Sequence, residues 1–194
     1  MRMINYPNKK KVNVSSSNGN ERRRGMNLEK DINDSNLFYR ECERALIYKK
    51  PTPIQVVKVD YPSRIHAKIT EAYYKVPSTT DYNGIYRSRY IDFEAKETKA
   101  KTSFAFKNIH PHQIDHLKKV IQHGGIAFMI LRFTTLDETY LVDAHIIIEA
   151  YQNQERNSIP YQDISEKGYR IQESYTPRLK YLDIVDQVYF KEDD

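Results

Sequence analysis

Ile126 to Phe133 is the segment that most limits how this chain can fold. Almost wholly apolar and opening after Gly124-Gly125, it is far too short to cross a bilayer, and so reads as a strand buried on both faces. Upstream, His110-Pro111 begins a helix with proline in its first turn. Ile114, Leu117, Val120 and Ile121 lie along its inner side, and Gly124-Gly125 ends it. Glu138 to Ile148 reads as the hairpin partner of the buried strand. An earlier helix starts at Asn27, a good N-cap, with Leu28, Ile32, Ser35, Tyr39 and Cys42 recurring along one face. Between these helices, Leu46-Ile47-Tyr48 and Ile54 to Val59 are β-prone runs separated by Lys49-Lys50-Pro51-Thr52-Pro53, whose prolines bar a continuous central strand. A weaker helical stretch and the tyrosine-rich end, Tyr169 to Phe190, complete the pattern. At 194 residues the order of strands and helices suits one α/β domain, expected over residues 26–194.

Charge is unevenly placed. The net charge is +5, yet residues 1–30 hold eight basic residues against Glu21 and Glu29, and the tail Glu192-Asp193-Asp194 is acidic. Residues 1–25, with Ser15-Ser16-Ser17-Asn18-Gly19-Asn20, are too polar to offset their ordering entropy and are expected to form a disordered basic arm. Such an arm suits a polyanionic partner, nucleic acid ahead of membrane because it lacks an amphipathic apolar face; a solvated tail has the same composition. Residues 61–77 mix Arg64, His66, Lys68 and Lys75 with Tyr61, Tyr73 and Tyr74, a pairing suited to phosphates and unstacked bases, although tyrosines on an ordinary strand look the same. Cys42 is the only cysteine, which excludes an intramolecular disulfide and a four-cysteine zinc site, and the N-terminus lacks an apolar secretory core. A reducing compartment, the cytoplasm, is the expectation.

The chemistry-bearing segment is Ile91-Asp92-Phe93-Glu94-Ala95-Lys96. Its alternation turns Ile91, Phe93 and Ala95 to the core and puts Asp92, Glu94 and Lys96 on the other face. Neighbours on one face are roughly 6.6 Å apart, so Glu94 and Lys96 overlook a common volume. Whether Asp81 reaches it depends on the hairpin turn. A loop at Asn83-Gly84, the stronger local signal, leaves Asp81 opposite Tyr86. A loop at Arg87-Ser88 sets Asp81 opposite Glu94 and Thr79 opposite Lys96. Two carboxylates at the about 4.5–5.5 Å of opposed Cβ atoms repel unless a cation lies between them, and oxygen donors favour Mg²⁺ or Mn²⁺ over zinc. Such an ion with a lysine beside it suits phosphodiester hydrolysis; the bland reading is an exposed Glu94–Lys96 ion pair and a turn aspartate.

Asp81 followed by Glu94-Ala95-Lys96 resembles the PD-(D/E)XK nuclease signature, with Thr80 in place of its proline. More specifically, Arg24-Gly25-Met26, Leu28-Glu29, Lys49-Lys50-Pro51-Thr52-Pro53, Pro77 to Gly84 and Ile91 to Thr98 recur in the order found in the RecU family, Holliday junction resolvases of Gram-positive bacteria and mollicutes. The resemblance covers about residues 22–188. It implies a restriction-endonuclease-like mixed sheet flanked by helices, with a stalk insertion matching residues 61–77 that engages the junction crossover. It also implies a magnesium site at Thr79, Asp81, Glu94 and Gln113, with Lys96 as transition-state stabiliser. Arg24 and Glu29 match motif positions near the first helix, and Arg23 stands where the family usually has glycine. Of the stalk, Arg64, Lys68, Tyr74 and Lys75 are the candidate DNA contacts. A homodimer and modulation of the recombinase RecA complete what the family likeness implies.

Other signals are set aside. His112 and His116 are spaced like a helical zinc pair, but Gln113 replaces the general-base glutamate. Cys42 falls on the apolar stripe of the first helix and is expected to be a buried structural thiol. Gly124-Gly125 ends a helix, so it reads as a cap and not as a phosphate cradle. Two functions remain: a junction-cleaving endonuclease, and a non-catalytic junction-binding or recombinase-modulating protein. The presence of repelling carboxylates favours the first.

Overall fold

A computed structural model describes residues 27–75, 78–153 and 156–190. The expectations for the basic arm, for Arg24 and for the acidic tail lie outside those residues.

Asn27 caps the first helix as its sequence suggests: its side chain accepts from the Lys30 N–H at 2.7 Å, opening α1 (Leu28–Glu41). Leu28, Ile32 and Tyr39 are buried along one face, together with the polar Asp31, Ser35 and Asn36. Their oxygens are matched, although Asn36 Nδ2 is buried without a hydrogen-bond partner: Asp31 takes the Arg132 guanidinium at 2.6 Å, the Ser35 hydroxyl accepts from the Leu179 N–H, and Asn36 Oδ1 accepts from Tyr181. Cys42 does not continue the buried stripe. It caps the helix and is exposed, because the chain turns away at once through Glu43 at φ 56°.

The chain then runs through β1 (Leu46–Lys49), β2 (Ile54–Asp60), β3 (Lys68–Tyr74), β4 (Tyr82–Tyr86), β5 (Arg89–Thr98) and β6 (Ser103–Ala105) to α2 (Pro111–Gln122). It continues as β7 (Ile126–Phe133), β8 (Glu138–Asp143), α3 (Ala144–Gln152), β9 (Ser158–Pro160), α4 (Tyr161–Lys167), β10 (Tyr169–Arg170) and α5 (Tyr181–Tyr189). Six strands form the central sheet in the order β1-β4-β5-β7-β8-β10. Among the described residues only β5 and β7 pair in parallel, and the crossover between them carries β6 and α2. This is the mixed sheet flanked by helices that the family likeness implied. β7 is buried at every position. Glu138 to Ile148 is not one strand: β8 ends at Asp143, whose side chain accepts from the His145 N–H at 2.8 Å and starts α3.

The two faces of the sheet carry separate cores. Ile91, Phe93, Phe128 and Ile130 pack with α1 and α5 residues such as Ile32, Tyr39, Tyr181 and Leu182. Ala127, Met129 and Leu131 pack on the other side with Ile114 and Leu117 of α2 and Ile147 of α3. Because β5 and β7 run in register, Asp92, Glu94 and Lys96 sit beside Ala127, Met129 and Leu131, so the polar face of β5 looks into this second core.

The β4–β5 turn is at Arg87-Ser88, with φ of 46° and 64°, and pairs Tyr86 with Arg89 through to Tyr82 with Phe93. Neither residue is the glycine or asparagine that such a turn usually takes. Gly84 lies inside β4 instead, where an added Cβ would meet the Leu46 carbonyl oxygen at 2.0 Å and the Ile47 Cα at 2.6 Å. The glycine there serves the close approach of β1, and the local turn signal is overridden.

Strands β2 and β3 form their own two-stranded sheet, exposed at every residue on both faces. The exposed hairpin therefore begins at Ile54, ahead of the 61–77 segment marked by composition, and includes the run that follows the prolines. Among the described residues no helix is long and apolar enough to cross a membrane.

Candidate active site

Continuing the β4–β5 register by one pair sets Asp81 opposite Glu94, and the two carboxylates interact. Glu94 is fully buried between Asp81 and the apolar β7. Both of its oxygens are shielded from solvent and neither accepts a hydrogen bond of good geometry; the Lys96 ammonium makes an ionic contact with Oε1 at 2.9 Å. Burial pushes the Glu94 carboxyl up to about 8, the Lys96 ammonium opposes that rise, and Asp81 adds to it. The Glu94–Lys96 pair is thus no exposed strand pair: the carboxylate is sealed, and only the lysine reaches solvent.

Lys96 and Asp81 line a cleft of about 280 Å³, along with Glu29, Glu97 and Asn27 at the start of α1. Glu97 accepts the Leu28 N–H at 3.0 Å, and Glu29 pairs with Lys49 at 2.5 Å, so the mouth of the cleft is tied to α1 and β1.

The other expected metal positions are less committed. Thr79 is half-buried with its hydroxyl donating to the Thr80 carbonyl at 3.3 Å. Gln113 is buried in the first turn of α2, and its Oε1 accepts from the His110 N–H at 3.0 Å. That oxygen closes a capping box, so joining a metal shell requires its second lone pair or a turn of the side chain. Among the described residues no three carboxylate, imidazole or thiol groups converge on one point. An ion between Asp81 and Glu94 would therefore complete its shell with hydroxyl, amide, water or phosphate oxygens, as Mg²⁺ commonly does. The buried, unsatisfied Glu94 oxygens fit such an ion.

A second polar cluster adjoins this pair, and sequence reasoning missed it. Asp92 is fully buried; its Oδ2 receives Lys50 Nζ at 2.8 Å and the Tyr90 hydroxyl at 2.7 Å, and lies 3.1 Å from His116 Nε2. Its Oδ1 accepts from the Thr80 hydroxyl, to which Lys50 also donates at 3.0 Å. The available signal was Asp92's place on the face shared with Glu94 and Lys96. His116 thus serves Asp92, while His112 Nε2 is buried without a hydrogen-bond partner.

The candidate DNA contacts lie in the exposed hairpin. Arg64 stands in its loop, Lys68 and Tyr74 end β3 on either side, and Lys75 follows, its N–H donating to the Pro53 carbonyl at 3.0 Å. Tyr74 is 85% exposed and Tyr73 61%, which leaves both rings free to stack.

The chain matches the family described as Recombination protein U, RecU, over residues 23–187. It belongs to the RecU family. A protein of Geobacillus kaustophilus named "Holliday junction resolvase RecU" is 52% identical, the match covering 96% of this chain and 98% of that one. A relative of the same name from Shouchella clausii is 49% identical over 98% of this chain and 97% of its own. Among solved structures, Archaeoglobus fulgidus Hjc, described as a Holliday junction resolvase from an archaeal hyperthermophile, is similar with a TM-score of 0.43 at 10% identity, over 74% of this chain and 93% of that one.

Proposed function

We propose that this RecU-family chain is a divalent-metal-dependent endodeoxyribonuclease that nicks the symmetry-related strands of four-way DNA junctions in the cytoplasm. The observation that carries the chemistry is the sealed Glu94 carboxylate facing Asp81 with Lys96 beside it. Asp81 and Glu94 would hold Mg²⁺, or Mn²⁺ in its place, with oxygens of Thr79 and Gln113 as further donors. When bound, that ion supplies Lewis acidity and a hydroxide equivalent at neutral pH. Lys96, partly exposed at the cleft, places its ammonium against the charge that grows on the phosphate oxygens in the transition state. Met129 and Leu131 on β7, beside Glu94 and Lys96, keep that side of the site apolar.

Recognition is assigned to the exposed hairpin, through Arg64, Lys68, Lys75 and the Tyr74 face, and to Arg24 of the basic N-terminal segment. Two opposed strands are most simply cut by two sites related by the junction's own two-fold axis, hence a homodimer. Modulation of RecA belongs to this reading through the family likeness alone. The relatives' name supports the substrate.

A nicking assay on a synthetic four-way junction tests the proposal. The wild-type protein should nick in Mg²⁺ and not in EDTA, and Asp81→Asn should bind the junction normally without nicking it. Equal nicking in EDTA, or full nicking by Asp81→Asn, overturns the assignment.

A further inference from the structure

We propose that Asp92 is a positioning residue that holds Asp81 against Glu94 through Thr80 and Lys50. The inference rests on the reading of Asp81 and Glu94 as a metal-holding pair and adds what keeps the pair in place.

The need for such a device follows from the backbone. Asp81 precedes β4, and the β1–β4 pairing ends at Lys49 opposite Tyr82, so past the ladder a single main-chain bond, from the Lys50 N–H to the Asp81 carbonyl, continues the register. Its carboxylate faces a second, buried one across the extended β4–β5 register, and a cation can bridge the two only if their separation is held. One main-chain bond alone does not set that separation.

The Asp92 cluster does. Thr80 sits between the two candidate ligands Thr79 and Asp81, and its hydroxyl donates to Asp92 Oδ1. Lys50 grips the same segment twice: its main-chain N–H donates to the Asp81 carbonyl at 2.7 Å, and its ammonium donates to the Thr80 hydroxyl at 3.0 Å. That ammonium is in turn fixed on Asp92 Oδ2 at 2.8 Å. Asp92 is anchored on β5, two residues from Glu94, and is steadied by the Tyr90 hydroxyl and His116 on α2. The spacing between the two metal-holding carboxylates is thereby referred to a single rigid strand.

A purely structural account explains this cluster less well. Replacing a buried ion pair by apolar groups is often neutral or stabilising, so a fully buried carboxylate collecting Lys50, Thr80, Tyr90 and His116 is poorly explained as a source of stability. As a locator it makes sense, since catalytic groups must be held to within about 0.5 Å.

The test is Mn²⁺ binding to the full-length protein without DNA, followed by calorimetry or the Mn²⁺ electron paramagnetic resonance signal. Asp92→Asn and Thr80→Val should each weaken Mn²⁺ affinity by about 10–100-fold, the usual consequence of losing a partner that orients a ligand. Thr80→Ser, which keeps the hydroxyl, should stay within about threefold of wild type. The Mg²⁺ concentration giving half-maximal junction cleavage should rise in parallel, with metal-free junction affinity unchanged. Wild-type Mn²⁺ affinity in both Asp92→Asn and Thr80→Val, or in Thr80→Val alone should Asp92→Asn not fold, overturns the inference. Glu94→Gln separates the two levels: if it too binds Mn²⁺ like wild type, the metal reading itself fails; if it alone loses Mn²⁺, only the positioning role does.

Discussion

Strands β7 and β2 draw on the same kinds of residue and end in opposite environments. Ile126 to Phe133 is buried throughout, between two cores, whereas Ile54 to Asp60 is exposed throughout and has only β3 for a neighbour in its sheet. The six-stranded sheet hides most of its β-branched and aromatic side chains under helices on both faces, with Tyr48, Ile85 and Tyr90 of β1, β4 and β5 as exposed exceptions. The hairpin leaves Ile54, Val56, Val57, Val59, Ile69, Tyr73 and Tyr74 in solvent. A lone two-stranded hairpin is at best marginally stable in water, so these side chains do little for the stability of the body. The body has a reason to fold within itself, and the hairpin's residues are explained by what they touch outside it. Chemistry and recognition would then occupy different sheets and fail separately.

The comparison breaks most visibly at Lys96. Lys96→Ala should lower the single-turnover cleavage rate by roughly 10²–10³, as when one preorganised electrostatic donor is lost, at nearly unchanged junction affinity. Rapid-quench kinetics beside equilibrium binding reads both. A loss confined to affinity would move Lys96 from the chemistry to the recognition side.

How far the sequence foretells this division varies by residue. Alternation alone puts Glu94 and Lys96 on one face but leaves two turns competing; the Arg87-Ser88 turn, the one that implies a metal, is observed. Local turn chemistry points to Asn83-Gly84, because the reason for Gly84 is the neighbouring β1 backbone, a tertiary contact invisible in a local window. The apolar run of β7 declares its own burial. The equally β-prone β2 does not declare its exposure, since propensity records fit to a pleated surface and not what covers it. Cys42 shows the same limit at a helix end, where periodicity continues one residue past the packing. Asp92 was legible as a member of the charged face, but its partners Lys50, Thr80 and His116 come from three separate segments.

A smaller effect sharpens the contrast through stability. The Glu94 carboxyl ionises in the ordinary carboxylate range when unfolded and at about 8 when folded. The folded state therefore keeps a proton that the unfolded state releases, so metal-free stability should be greatest below the unfolded pKa and should fall as pH rises toward 8. Glu94→Gln should remove that slope and raise metal-free stability near neutral pH by on the order of 2–3 kcal/mol, since each tenfold change in the ionisation equilibrium is worth about 1.4 kcal/mol. Urea denaturation in EDTA at pH 5, 6.5 and 8 measures it. Parallel pH profiles for the variant and wild type would show that Glu94 is not strained in the metal-free body.

The smallest effect belongs to the hairpin, and two measurements must be read together. Replacing Arg64, Lys68 and Tyr74 by alanine removes two exposed cations and one ring that is 85% exposed, none of them packed into either core. Folding stability should therefore stay within about 0.5 kcal/mol of wild type, as for exposed positions generally. Phosphate contacts weaken binding to any DNA, whereas a stacked base is available only where strands are unpaired, and one base–aromatic contact is worth about 1–3 kcal/mol. The ratio of junction to duplex affinity at fixed salt should accordingly fall by about tenfold, while the single-turnover rate at saturating protein stays near wild type. An unchanged ratio would place junction selectivity outside the hairpin. A large loss of stability would mean instead that the hairpin supports the body, and the separation between the two sheets would be lost.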